Sequence, residues 1–455
     1  MTEDREAALA AALAEVLGAG EVTGLRRLSG GASRETWSFE ADGRPLILQR
    51  ERPGSARSAA MATEAVLLRA AAERGVPVPA VVASCADGTP AGAGALGGDW
   101  LVVERVEGET IPRRILRDDD FAAARPKLAA QCGDALARIH AIPPASVPGL
   151  AGGDQLDQLR QTLDGLGDPH PALELGFRWL ERHRPPPTAE TVVHGDFRNG
   201  NLVVGPDGLR AVLDWELAHL GDPLEDLGWL CVRAWRFGAA PRVGGFGTVD
   251  ELVGAYEATA GRTVDRDALH WWEVLGTLKW GIICMLQAAT HLQGVVRSVE
   301  LAAIGRRVCE VEHDLLLLLP GGAEALPPVV APEPPVAGPR AGAPHDPPTA
   351  GQLVEAVREF LEGDVMAATE GRVRFHARVA ARALAIVERE LAAGDRPARA
   401  LAERLAGLGV ADEAELAAAV RSGDLDDRWD EVVAAVAATV ADKLAVANPG
   451  YAAQM

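Results

Sequence analysis

The sequence predicts an α+β fold in which a small antiparallel sheet precedes a mainly helical region, with an all-α domain at the C-terminal end. Three observations point there. Residues up to about 103 alternate strand-like runs with Gly turns around one helix. Residues 106–320 carry apolar positions at helical spacing, interrupted by two short apolar runs. Residues 321–348 are rich in Pro, Ala and Gly, and helical periodicity returns beyond them. At 455 residues the chain exceeds what one core organises, so it is divided here into 1–105, 106–320, a stiff linker at 321–348, and 349–455.

Each element has its own signal. Leu9, Leu13, Val16 and Leu17 recur at helical spacing. A Gly30-Gly31 turn leads into a strand over 36–39, Asp42-Gly43 marks a hairpin, and 45–49 reads as the returning strand. A helix over 59–74 is closed by Gly75 and stopped by Pro77 and Pro79. A further strand covers 100–105. Residues 125–140 form a helix whose Pro126 sits in the first turn and whose stripe is Leu128, Cys132, Leu136 and Ile139. Two more helices are expected over 271–291 and 301–319. In the last section, Val373, Ala377, Ala380, Leu384, Val387 and Leu391 mark one helix face, and Trp429, Val432, Val433, Val436, Val440 and Leu444 another.

Composition narrows the function classes. The chain is 48% hydrophobic and 24% charged, ordinary for a globular protein, and its net charge is −20. That balance opposes a general nucleic-acid or anionic-membrane binder, since phosphate contacts need clustered Lys and Arg. Five scattered cysteines without a CxxC pair read as reduced thiols, not as a disulfide frame or zinc site. The charged start of the chain lacks the order of a signal peptide, and the apolar stretches near 280–289 and 315–319 are too short to span a bilayer. A cytoplasmic location is expected.

The chemistry concentrates in His194-Gly195-Asp196-Phe197-Arg198-Asn199-Gly200-Asn201 and Val212-Leu213-Asp214-Trp215-Glu216. An Asp, an Asn five residues on, and a second Asp after an apolar run form the set that nucleotide-dependent phosphoryl transfer needs. One carboxylate orients the attacking hydroxyl, while an amide and a second carboxylate hold Mg²⁺ against the phosphates. Apolar runs at 191–193 and 209–213 suggest two short strands that present these groups at their ends.

With these motifs and Gly-Asp-Pro-Leu-Glu-Asp-Leu-Gly-Trp-Leu at 221–230, the stretch 25–319 resembles the aminoglycoside-phosphotransferase-like family, a small-molecule branch of the protein-kinase-like fold. The aromatic residue and Arg after His-Gly-Asp resemble the subgroup of phosphotransferase domains that accompany acyl-CoA dehydrogenases. The resemblance implies a bilobal fold, with a sheet-bearing N-lobe and a helical C-lobe, and an ATP- or GTP-dependent kinase that phosphorylates an alcohol group. It implies that Asp196 is the catalytic base or orienter, that Asn201 and Asp214 bind Mg²⁺, and that His194 braces the loop. Arg198 would reach the transferred phosphate. Gly30, Gly31 and Ser33 would cover the phosphates through backbone N–H groups. Glu64 would partner a basic residue on the preceding strand, and 102–106, with Glu104 and Val106, would form the hinge that meets the adenine.

One position departs from the family. The basic residue of the returning strand falls at Gln49 by the apolar run, with Arg50 next to it. Strand neighbours face opposite ways, so either a bulge or register shift brings Arg50 into place, or the phosphate contact is weakened. This departure supports an alternative reading, a catalytically weak kinase-like protein that binds nucleotide or ligand and regulates. The acceptor is expected to be an aminoglycoside or a hydroxyacyl or acyl-CoA-type metabolite, with Arg113, Arg114 and Arg117 as candidates for a CoA-binding mouth. His140 is read as a satisfied helix-end histidine, and Asp222 and Asp226 as residues that cap a helix and hold the loop. No nucleic acid or membrane partner is expected. The C-terminal helices carry no catalytic pattern and read as a module for homodimer contact or intramolecular packing.

Overall fold

The structure is a computed structural model that describes residues 2–28, 34–51, 60–88, 96–332 and 346–453. Gly30, Gly31 and Ser33 lie outside the described residues. The chain groups into two units, Met1–Gly153 with Pro185–Glu273, and Asp154–Arg184 with Val274–Met455. These boundaries differ from those drawn at 105, 320 and 348. The helices after Val274 group with the C-terminal helices.

The first unit opens on the helix Thr2–Leu17 and a five-stranded sheet ordered β1-β2-β3-β5-β4. Its strands are β1 (Val22–Arg27), β2 (Arg34–Ala41), β3 (Arg44–Glu51), β4 (Val81–Ser84) and β5 (Trp100–Glu104). Their pairings are antiparallel. The β2–β3 hairpin turns at Asp42 and Gly43, both with positive φ (48° and 78°), the turn that an Asp-Gly pair favours. Alternation gives the sheet two apolar faces. Leu46 and Leu48 pack with Trp37, Trp100 and Leu13 of the first helix. Ile47, Leu101 and Val103 pack on the other face with Ala65 and Leu68 of the helix Ala60–Glu73.

The helix Arg125–His140 buries Leu128, Cys132, Leu136 and Ile139, the stripe expected from spacing. Around it lie two small antiparallel ladders. In one, β6 (Thr191–Val193) pairs with β9 (His219–Gly221); in the other, β7 (Leu202–Gly205) pairs with β8 (Gly208–Val212). The apolar runs before the two motifs therefore lie in separate ladders. Their partners are β9, which reads as His-Leu-Gly, and β7, which follows the Asn201 motif directly. The helices Leu224–Cys231 and Val249–Ala260 complete the unit with the start of Arg266–Leu292.

The second unit is helical. The helix expected over 301–319 is two, Val299–Gly305 and Val308–Leu318, broken after Gly305, a weak helix former. The helix Trp429–Ala447 buries Val432, Val433, Val436, Val440 and Leu444 as expected. The face expected on Gly371–Ala393 does not form. Ala377 is buried, but Val373, Val387 and Leu391 are 57%, 40% and 39% exposed, and Ala381 and Ala393 take the inner positions. Ion pairs tie the last helices to earlier ones within this unit: Asp426 with Arg178, Arg421 with Asp164, and Lys443 with the buried Glu312. Among the described residues, no helix is long and apolar enough to cross a membrane.

Candidate active site

Residues 194–196 follow β6 directly, and their backbone is held from below. The Asp226 carboxylate, fully buried at the start of the helix Leu224–Cys231, accepts the N–H groups of His194 at 2.7 Å and Gly195 at 2.9 Å. It also accepts Nε2–H of His140 at 3.1 Å, and the other ring nitrogen of His140 meets the Tyr256 hydroxyl at 3.0 Å. Burial works to raise the pKa of Asp226, but these donors outweigh it and hold the carboxyl at about 2. Gly195 has φ +78°, and a Cβ there would lie 2.4 Å from the Leu217 carbonyl oxygen, so only glycine fits this turn.

His194 is buried and joins the two motifs. Its Nδ1 accepts the Asp196 N–H at 3.2 Å, and its Nε2–H donates to the Leu213 carbonyl at 3.1 Å. Burial pushes the imidazolium down, so the ring works as a neutral brace. It packs edge-on to Phe197 and against Trp215, with centroids 5.8 and 4.7 Å away.

The Asp196 carboxylate is set by three donors. Asn201 Nδ2 reaches Oδ2 at 2.6 Å, Trp229 Nε1 reaches Oδ1 at 2.8 Å, and Arg198 Nε reaches Oδ1 at 3.0 Å. The Arg198 guanidinium lies 4.6 Å from the ring centroid of Trp235, which in turn is 5.0 Å from Trp229. The amide nitrogen of Asn201 is spent on Asp196, its carboxylate and its backbone carbonyl. The Asn201 carbonyl accepts the Leu213 N–H at 2.8 Å, so the residue before Asp214 is pinned beside Asn201.

Asp214 adopts φ +65°, a conformation that non-glycine residues adopt at a cost. Burial pushes its carboxyl up to about 6, with Glu216, Asp196 and Glu64 adding to the effect. A carboxylate so placed gains from any cation brought to it.

The family of "phosphotransferase enzymes" matches residues 24–272, more than half of the chain. The chain belongs to the phosphotransferase enzyme family. A domain of unknown function matches 367–451. Acyl-CoA dehydrogenase family member 10 of Mus musculus is 28% identical over 232 residues, 48% of this chain and 21% of that protein. Family member 11 of Homo sapiens is 29% identical over 214 residues, 43% of this chain and 26% of that protein. The chain thus spans about a quarter or less of these relatives' length. A solved structure from Ralstonia eutropha, provisionally assigned as an aminoglycoside phosphotransferase, aligns with TM-score 0.54 at 22% identity, covering 70% of this chain and 98% of that one. The fold is kinase-like.

Against the phosphotransferase pattern, the strand residues weighed for the phosphate anchor take opposite sides. The β2–β3 register runs unbroken from Arg34↔Glu51 to Ala41↔Arg44, so no bulge brings Arg50 round. Arg50 faces the Trp37 and Trp100 side and is buried in a pair with Glu35, Nε and a terminal nitrogen 3.0 and 2.8 Å from one carboxylate oxygen. Gln49 lies on the other face, opposite Thr36. Glu64 is buried, but its partner is Arg34, at 2.6 Å, a residue that the sequence reading passed over. Glu104 is half-exposed and paired with Arg44, and Val106 is half-buried just past β5. Trp229 also escaped notice, although it sits inside the motif at 221–230. On the helix Pro112–Arg117, Arg113, Arg114 and Arg117 are exposed, with Arg114 paired with Glu109 and Asp118.

Proposed function

We propose that this chain transfers the γ-phosphoryl group of ATP or GTP to a hydroxyl of a small molecule. The observation that carries this reading is the joining of Asp196, Asn201 and Asp214 through His194 and the Asn201–Leu213 backbone bond. Asp196 would accept a hydrogen bond from the acceptor hydroxyl and take its proton as the oxygen attacks phosphorus and the bond to the nucleoside diphosphate breaks. Its three donors fix the direction of the free lone pairs. Arg198, stacked on Trp235, would turn its remaining N–H groups towards the incoming phosphoryl oxygens.

Asn201 and Asp214 fit Mg²⁺ by donor type, an amide oxygen and a carboxylate, and by the crowding of carboxylates around Asp214. When bound, the ion neutralises charge on the nucleotide phosphates. The Val106 amide would serve the adenine from the hinge.

For the acceptor we favour a hydroxylated acyl or acyl-CoA compound over an aminoglycoside. The support is the similarity to acyl-CoA dehydrogenase family members 10 and 11. Incubating the chain with Mg²⁺ and ATP or GTP against both classes of acceptor, with nucleoside diphosphate release as readout, tests this. Release with hydroxyacyl compounds and none with aminoglycosides is expected. Nucleotide binding with no phosphate moved to any acceptor would favour the regulatory alternative.

A further inference from the structure

We propose that Arg34 is the cation that anchors the nucleotide's phosphates, supplied from β2 where the family pattern expects a basic residue on β3. This deepens the phosphotransfer reading and rests on it.

The argument begins with parity. Directly opposed residues of an antiparallel pair share a face, and neighbours along a strand alternate. Glu35 opposes Arg50, so both face the first helix, and the Arg50 charge is consumed there. Thr36 opposes Gln49 and Arg34 opposes Glu51, so Arg34 lies on the Gln49 face, one alternation further along. That face carries a polar amide at Gln49, where a cation is expected. Arg34 is the cation that the face does hold next to Glu64.

Its partners place it at the reaction centre. Arg34 donates to Glu64 at 2.6 Å and lies 3.3 Å from Glu216, two residues beyond Asp214. Burial raises the Glu64 pKa, and Arg34 and the backbone N–H of Trp215, next to Asp214, work against it. One buried carboxylate therefore ties the guanidinium from the sheet to the segment that carries Asp214. The Arg34 side chain is 14% exposed and Glu64 4%, so the pair is held from behind and screened little by solvent. Burial disfavours the charge on Arg34, but Glu64, Glu216 and Asp214 outweigh it. A guanidinium has five N–H donors in a fixed fork. Two carboxylates hold two of its edges, and further N–H groups can meet phosphate oxygens. A Lys ammonium has three donors on one atom, so the five of a guanidinium leave more to spare once two carboxylates are met.

The test compares ATP with adenosine, which lacks phosphates, by calorimetry in the presence of Mg²⁺ on the full chain. Arg34→Gln is expected to weaken ATP binding about 10- to 100-fold while adenosine affinity stays within about twofold. Glu64→Gln leaves the Arg34 charge but removes its buried tether, and should weaken ATP binding several-fold with adenosine again unchanged. That variant decides the matter if Arg34→Gln does not fold. A wild-type preference for ATP that survives either substitution overturns the Arg34 assignment alone. Equal loss of ATP and adenosine also overturns it, since the residue would then only support the sheet. A wild-type chain that binds ATP no tighter than adenosine overturns the phosphotransfer reading itself.

Discussion

Asn201 donates from Nδ2 to the Asp196 carboxylate at 2.6 Å and to the Asp196 backbone carbonyl at 3.0 Å. The residue that would hold the metal through its oxygen thus orients Asp196 through its nitrogen. Asn201→Ala removes both functions. We expect turnover to fall at least about 100-fold, with a higher Mg²⁺ concentration needed for half-maximal rate. A rate that drops with no change in Mg²⁺ dependence would separate the two roles and disfavour Asn201 as a ligand.

His194 bridges the Asp196 N–H and the Leu213 carbonyl from a buried position. His194→Phe keeps the bulk but strands both groups, at a cost of roughly 2–4 kcal/mol in urea unfolding. The pH sign follows from burial. The folded pKa lies below the ordinary 6.5, so the unfolded chain takes up the proton first as pH falls. The contribution is present above about pH 6.5 and is lost below it. The wild-type chain should therefore lose more stability between pH 7 and 5 than His194→Phe does. Parallel slopes would show that the ring titrates normally.

Asp226 holds two loop amides and His140 from a fully buried position. Asp226→Asn should destabilise by about 3–5 kcal/mol, because an amide cannot accept from all three donors. The folded pKa is about 2 against an ordinary 3.8. Its stabilisation is complete above about pH 4 and fades as pH falls towards 2. Acid unfolding followed by circular dichroism should show this component in the wild-type chain and lack it in the variant.

The C-terminal helices are part of the second unit's core. Tyr451 donates to Asp314 at 2.5 Å, Asn448 to Glu310 at 2.8 Å, and Lys443 lies 3.4 Å from Glu312. Ending the chain at 348 would leave buried Glu310, Glu312 and Asp314 without these partners and expose the apolar side of Val308–Leu318. The truncated chain is expected to aggregate on gel filtration. Composition alone suggests the reverse, since residues 321–348 look like a linker between independent domains. A monodisperse truncated chain with an unchanged melting temperature would restore that simpler view.

The site was legible where chemistry lies close in sequence. His-Gly-Asp and the Asn five residues on are one loop, and the structure brings Asp196 and Asn201 together as that spacing suggests. Asp214 was legible because it ends an apolar run. Arg34 was not, because its partners are 30 and 182 positions away and its face depends on strand register. The choice between Gln49 and Arg50 shows the same limit: alternation says that the two diverge, but only the pairing with Glu35 says which one turns away. Trp229 sat in plain view within a motif, yet nothing in its spacing says that an indole N–H will meet the Asp196 carboxylate. The exposed Val373 and Val387 show periodicity without burial, since smaller alanines on the same helix fit the close helix contact.

The most direct test of the central claim is single-turnover phosphoryl transfer by Asp196→Asn with saturating Mg²⁺ and ATP and the best acceptor found. The account predicts nucleotide affinity within about threefold of wild type and a transfer rate lower by about 100- to 10,000-fold. A transfer rate within tenfold of wild type would contradict it.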